Sequence, residues 1–114
     1  MIKPSHFLIL ITLLLNTGYV FAQAPWYEGG NLHKSSIVAW KNASYENKLA
    51  TSADWAIVSP RIKNIIEKSG TMDTNKTFAR ELVTCIDTAT AAEDLSGETV
   101  DIALSCMALM GWLE

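Results

Sequence analysis

Few residues of this 114-residue chain are equipped for covalent or acid–base chemistry. The cysteines are Cys85 and Cys106, and the histidines are His6 and His33. A thiol–imidazole nucleophile needs a free thiolate beside its base, and pairing the two cysteines with each other would remove both thiols. A zinc site made of Cys, Cys and His would lack the CxxC or HxxxH spacing that brings such ligands together locally. Glu93 and Asp94 are adjacent acids, but a glycosidase pair must flank a substrate across a cleft. A solvated turn is their plainer reading. Gly29-Gly30 alone is too little for a phosphate-cradling loop. The expectation is therefore no catalytic residue, no metal and no cofactor; a small hydrolase is the outside alternative.

Recognition has more to work with. Asn47, Thr51 and Asp54 recur on one helical face, and Trp40, seven residues before Asn47, continues it. This stripe is either a solvated face, with Asp54 bonding a neighbouring helix end, or a binding patch of Trp40, Asn47, Thr51 and Asp54. Trp26 and Tyr27 stand in a segment broken by Pro25, Gly29 and Gly30. They either pack back on the body of the protein or serve as an aromatic anchor for a partner.

The elements that must position these residues are helical. Phe78, Leu82, Cys85 and Ala89 fall at i, i+4, i+7 and i+11, the apolar stripe of a helix that Asn75 can cap. Ser96-Gly97 marks a turn. Val100, Ala103, Leu104, Met107 and Met110 then form the stripe of a second helix, with Ile102, Cys106 and Leu109 filling most of the rest. A helix apolar nearly all round is expected to be the most buried. The two cysteines lie equally far from the turn, so antiparallel helices bring them level. Helix axes about 8–10 Å apart then permit the Cα separation of about 5.5 Å that a disulfide needs. Upstream, Ser35-Ser36 can cap a helix from Ile37, and Tyr45, Leu49, Ala53, Ala56 and Ile57 share a face. Ser59-Pro60 is a stop and restart, since Ser caps and Pro suits a first helical position. Ile62, Ile65 and Ile66 mark a further helix that Gly70 ends. The pattern predicts an all-α, four-helix bundle over about 36–58, 60–69, 76–91 and 98–111, stapled by Cys85–Cys106. The pattern allows a bend in the first helix near 42–44.

The start of the chain reads as an address. Lys3 and His6 precede an unbroken run of Phe, Leu, Ile and Thr from Phe7 to Leu15, then Asn16-Thr17-Gly18 and small residues. This is the pattern of a secretory signal peptide over 1–22, cut after Ala22. A cut after Ala24 would leave Pro25 beside it. The run is too short to span about 30 Å of hydrocarbon, so no stable membrane anchor is expected. Residues 23–35 are then an irregular arm and 36–114 the helical domain. Removing 22 of the 114 residues leaves 92, one small domain. Without Lys3 it holds 8 basic and 12 acidic residues, a formal charge of −4. Such a balance argues against nucleic acid or an anionic membrane as partner. Export to an oxidising compartment favours the disulfide. The Asn42-Ala43-Ser44 and Asn75-Lys76-Thr77 sequons carry no meaning in a bacterial chain.

A cleaved leader, a short helical domain and Cys85–Cys106 between helices resemble small proteins of the Gram-negative periplasm. The resemblance is to HdeA-type acid-stress chaperones and to the helical immunity proteins that neutralise toxins of type VI secretion. It departs from the HdeA type in having no cysteine in the N-terminal segment. The stretch from Gly29 to His33 and on to Leu49-Ala50-Thr51 is also similar to secreted bacterial proteins of no assigned activity. The resemblance implies a periplasmic or secreted, non-enzymatic module that binds another protein, as an immunity or inhibitor protein or a stress chaperone. The alternative is a structural or envelope-associated accessory protein.

Overall fold

The computed structural model describes residues 24–92 and 95–114. The leader expected over 1–22 and the acidic pair Glu93-Asp94 lie outside the described residues. Among those described there are five α-helices and a 3₁₀ turn. We label the helices α1 (Ile37–Asn42), α2 (Tyr45–Ala56), α3 (Pro60–Ser69), α4 (Asn75–Ala89) and α5 (Thr99–Leu109), with the turn at Met72–Thr74. The protein is mostly helical and carries one disulfide.

The single helix expected over 36–58 is two helices. Ala43 leaves helical geometry with ψ 161, and the Ser44 hydroxyl accepts the backbone N–H of Asn47. Ser44 thereby supplies an N-cap for α2 at the point where α1 stops, which makes a full break as cheap as a bend. Other caps follow the sequence. Ser36 accepts from the Ala39 N–H, and Ser59 from that of Ile62, with Pro60 in the first turn. Gly70 takes a left-handed conformation after α3, with φ 76. Asn75 differs from its expected capping role. It is fully buried at the start of α4, and its Nδ2 donates to the Ala53 carbonyl of α2 at 3.0 Å.

Helix α2 is the centre of the fold. Seven of its residues are buried, from Leu49 to Ala53 together with Trp55 and Ala56. It lies along α4, whose start meets Ala53 through Asn75, and whose C-terminal half meets Trp40 and Lys48 through Asp87. The order of these contacts makes α2 and α4 antiparallel. Helix α4 is therefore wedged between α2 and α5, and this turns its face from the expected one. The buried row is Asn75, Ala79, Leu82, Val83 and Ile86, while Phe78 and Cys85 sit half-buried at its edge and Ala89 is exposed.

Cys85 and Cys106 are bonded, with Cα atoms 6.0 Å apart. Phe78 meets Trp112 edge to face at 5.7 Å. Both contacts are centred near residue 95 of the connection, the register of an antiparallel hairpin. Helix α5 ends in a Schellman motif. Gly111, at φ 75, occupies the left-handed position, the Trp112 N–H bonds the Met107 carbonyl, and the Gly111 N–H bonds that of Ala108. The Ser59 hydroxyl donates to the Trp112 carbonyl, and Arg61 Nη1 donates to the Gly111 carbonyl at 3.1 Å. The start of α5 is clipped to that of α1: the Ile37 N–H bonds the Gly97 carbonyl, and the Thr99 N–H bonds that of Ser35. Both ends of α5 are thus tied down in addition to its disulfide. It is nevertheless not the most buried helix. Ala103, Cys106 and Met107 face inward, but Leu104 is 47% exposed and Leu109 84%. One helical neighbour covers one side of a helix, and among the described helices it is α4 that packs along α5.

Candidate functional site

The stripe predicted on α2 is a seam between that helix and the N-terminal arm. Three successive arm residues engage three successive stripe positions. The Asn31 N–H donates to Asn47 Oδ1 at 3.0 Å, and Asn47 Nδ2 donates to Asn31 Oδ1 at 2.7 Å. The Leu32 N–H donates to Thr51 Oγ1 at 3.2 Å. His33 Nε2 lies 2.8 Å from Asp54 Oδ2. Bonds from the arm's own backbone N–H groups to α2 side chains require the arm to lie close against the helix. Gly30 makes that approach: its backbone lies against Ala50 and Thr51, with no room for a side chain.

Trp40 does not join this seam. Its ring is fully buried, stacked on Trp55 at 5.8 Å, and its Nε1 donates to Asp87 Oδ1 at 2.9 Å. Lys48 Nζ reaches the same carboxylate oxygen at 3.1 Å and stands 5.6 Å from the centre of the Trp40 ring. Asp87 is the acceptor that makes burial of the indole N–H tolerable. Of the four residues considered as one patch, Trp40 and Thr51 are buried, and Asn47 and Asp54 are half-buried and engaged with the arm. Trp26 and Tyr27 are half-buried, edge to face at 5.5 Å, and packed against the core cluster. Trp26 Nε1 donates to Asp73 Oδ1 at 3.2 Å, and Lys76 Nζ stands 5.5 Å from the ring.

The arrangement nearest to acid–base chemistry is His33 with Asp54. With its proton on Nε2, the imidazole donates to the carboxylate and presents the lone pair of Nδ1 as a base. Both side chains are partly solvated, at 39% and 47% exposure. A nucleophile would have to stand against that base. Thr51, the nearest hydroxyl along the seam, is fully buried and already bonded to Leu32 and Asn47. Cys85 and Cys106 are joined to each other. Among the described residues no three of His, Cys, Asp and Glu converge as a metal site. The dyad ties the arm to α2.

The surface that sequence reasoning missed is the outer face of α5. Leu104 and Ala108 stand one turn apart towards one edge of it, Leu109 lies about 140° round the helix from Leu104 with Asp101 and Ser105 between, and Leu113 follows the Gly111 turn at 46% exposure. Val38, Tyr45, Val58 and Ile65 are exposed as well, and exposed apolar residues are by themselves ordinary for a protein surface. The signal was present in the sequence. A helix apolar on every side needs neighbours on every side, and one hairpin partner does not supply them. None of the described helices is long and apolar enough to cross a membrane. No protein-family model, curated protein or solved structure matches the chain.

Proposed function

We propose that this chain is an exported, non-enzymatic module that binds another protein through the outer face of α5. The observation that supports this is the exposure of Leu104, Leu109 and Leu113 on a helix fixed at both ends and by a disulfide. Apolar surface held rigidly in water gains free energy when a partner covers it, and a rigid surface loses little entropy in doing so. The leader over 1–22 would deliver the chain to the periplasm or outside the cell, where the disulfide persists. Immunity or inhibitor protein and stress chaperone are forms of this one reading. The His33–Asp54 dyad is structural in it.

The test is affinity capture from periplasmic extract with the processed protein, beside a Leu104→Ser/Leu109→Ser variant of unchanged helicity. The reading requires a stoichiometric partner that the variant loses. A partner retained equally by both proteins would move binding away from α5. Quantitative fractionation with the envelope and no stoichiometric partner would favour an accessory role. Turnover of a substrate that disappears in His33→Ala would overturn the non-enzymatic reading.

A further inference from the structure

The charges along the chain say what kind of partner this face would accept, an inference that rests on the reading just proposed. From Ala24 to Arg80 the sequence holds eight lysines and arginines against five acids; from Glu81 to Glu114 it holds seven acids and no lysine or arginine. Helix α5 lies wholly in the acidic part. Asp101 precedes Leu104 by three positions and Ser105 by four, so it shares their outward face. Glu98, exposed at the N-cap, lies about one turn before it, and Glu114 follows Leu113. Asp101 thus lies between Leu104 and Leu109 around the helix, with Glu98 before them in the chain and Glu114 after Leu113. Arg61, near the C-terminal end of α5, donates to the Gly111 carbonyl.

We infer that the outer face of α5 receives an amphipathic helix of a partner protein, with apolar anchors at i and i+3 or i+4 flanked by lysine or arginine. Leu104, Ala108 and Leu109 would cover the anchors, and Glu98, Asp101 and Glu114 would meet the flanking cations. A helix laid along a helical face reads apolar positions in this way. Opposite charges at the rim raise the rate of encounter and fix which way the helix lies. The same charges disfavour the other occupants. A second copy related by two-fold symmetry would lay the same acidic surface against itself. An anionic bilayer would be repelled.

The probe is a fluorescently labelled helical peptide of leucine and lysine, followed by anisotropy with the processed protein, beside a leucine–glutamate peptide of the same pattern. The lysine peptide should bind at least about tenfold more tightly than its glutamate counterpart. Leu104→Ser/Leu109→Ser should abolish binding. Glu98→Gln/Asp101→Asn should weaken it about tenfold at low salt, with the difference gone in molar salt. Equal binding of both peptides, or binding indifferent to both double variants, overturns the inference. So does a dimer in sedimentation, or binding to zwitterionic vesicles, that vanishes in the leucine variant, because the face would then have another occupant. A natural partner captured through Leu104 and Leu109, yet indifferent to salt and to Glu98→Gln/Asp101→Asn, would retain the protein-binding reading and remove this one.

Discussion

Gly30 lies so close to Thr51 that a Cβ on the glycine would stand 2.4 Å from the threonine's backbone nitrogen and 2.7 Å from its Oγ1. The obstacle is backbone, which cannot rotate away as a long side chain can. Gly30→Ala must therefore lift the arm from α2, strain the Leu32–Thr51 bond and loosen the contacts at Asn47 and Asp54. The expected cost is about 1–3 kcal/mol, the range for overpacking a well-filled site. Urea unfolding measures it. A midpoint equal to wild type would mean that the arm does not rest on α2.

The His33–Asp54 contact should be worth much less than that. Both groups are partly solvated, and such pairs contribute about 0.2–1 kcal/mol. A double-mutant cycle on His33→Ala and Asp54→Ala should return a coupling in that range, shrinking with added salt. A coupling of several kcal/mol would show that the pair is shielded from water.

Asp87 should matter more than its exposed position suggests. Its Oδ1 accepts from Trp40 Nε1 and from Lys48 Nζ. Asp87→Ala leaves a fully buried indole N–H without its acceptor, a loss of about 1–3 kcal/mol. Asp87→Asn keeps an oxygen for the indole and gives up the charge, so it should cost less. Thermal melting with tryptophan emission orders the three proteins. If the Ala and Asn variants melt together, the indole bond contributes nothing.

The parts of this fold legible in the sequence are those decided locally. Ser36, Ser59 and Gly70 cap helices wherever the neighbouring residues are helical, and Cys85 and Cys106 are level because a turn lies midway between them. What the sequence leaves open depends on how many neighbours each element has. The i, i+4, i+7 row of Phe78, Leu82 and Cys85 is real, but α4 has partners on two sides, so Ala79, Val83 and Ile86 are buried and Ala89 is not. The apolar pattern of α5 promises burial, but the hairpin supplies one partner and Leu109 stays in water. The polar stripe of Asn47, Thr51 and Asp54 reads as a solvated or recognising face because nothing local reveals that residues 30–33 cover it. Only the absence of room at Gly30 shows that closeness, and a glycine in sequence reads equally well as a turn.

The disulfide should be a staple and not a reactive pair. Cys106 is fully buried and Cys85 half-buried, with Phe78 and Trp112 closing the hairpin beyond them. Replacing both cysteines by Ala releases a closed loop in the unfolded chain and should cost about 2–5 kcal/mol, a large share of a small domain's stability. The variant should melt lower and be cleared faster by proteases, and it should still bind its partner where it is folded. Alkylation of the protein prepared without reductant settles the pairing first: two modified thiols would falsify the bridge.

Leu109 separates stability from binding more sharply than any other position. At 84% exposure it gives up little apolar burial to Ser, so Leu109→Ser should change unfolding free energy by no more than about 0.5 kcal/mol. The change sits in the last turn of α5, before the Schellman turn at Gly111, and leaves Met107 and Trp112 in the core. The same substitution removes the most projecting apolar group of the proposed docking face, where a central anchor commonly costs 2 kcal/mol or more when truncated, a loss of about thirtyfold in affinity. Urea unfolding and partner retention, measured on one preparation, give both numbers. Leu82→Ala is the control with the opposite expectation. Its side chain is fully buried, so it should lose about 2–5 kcal/mol of stability and keep whatever binding the remaining folded fraction allows. If Leu109→Ser is stable and binds as wild type does, the outer face of α5 is surface without a task, and the partner must be sought elsewhere on the molecule.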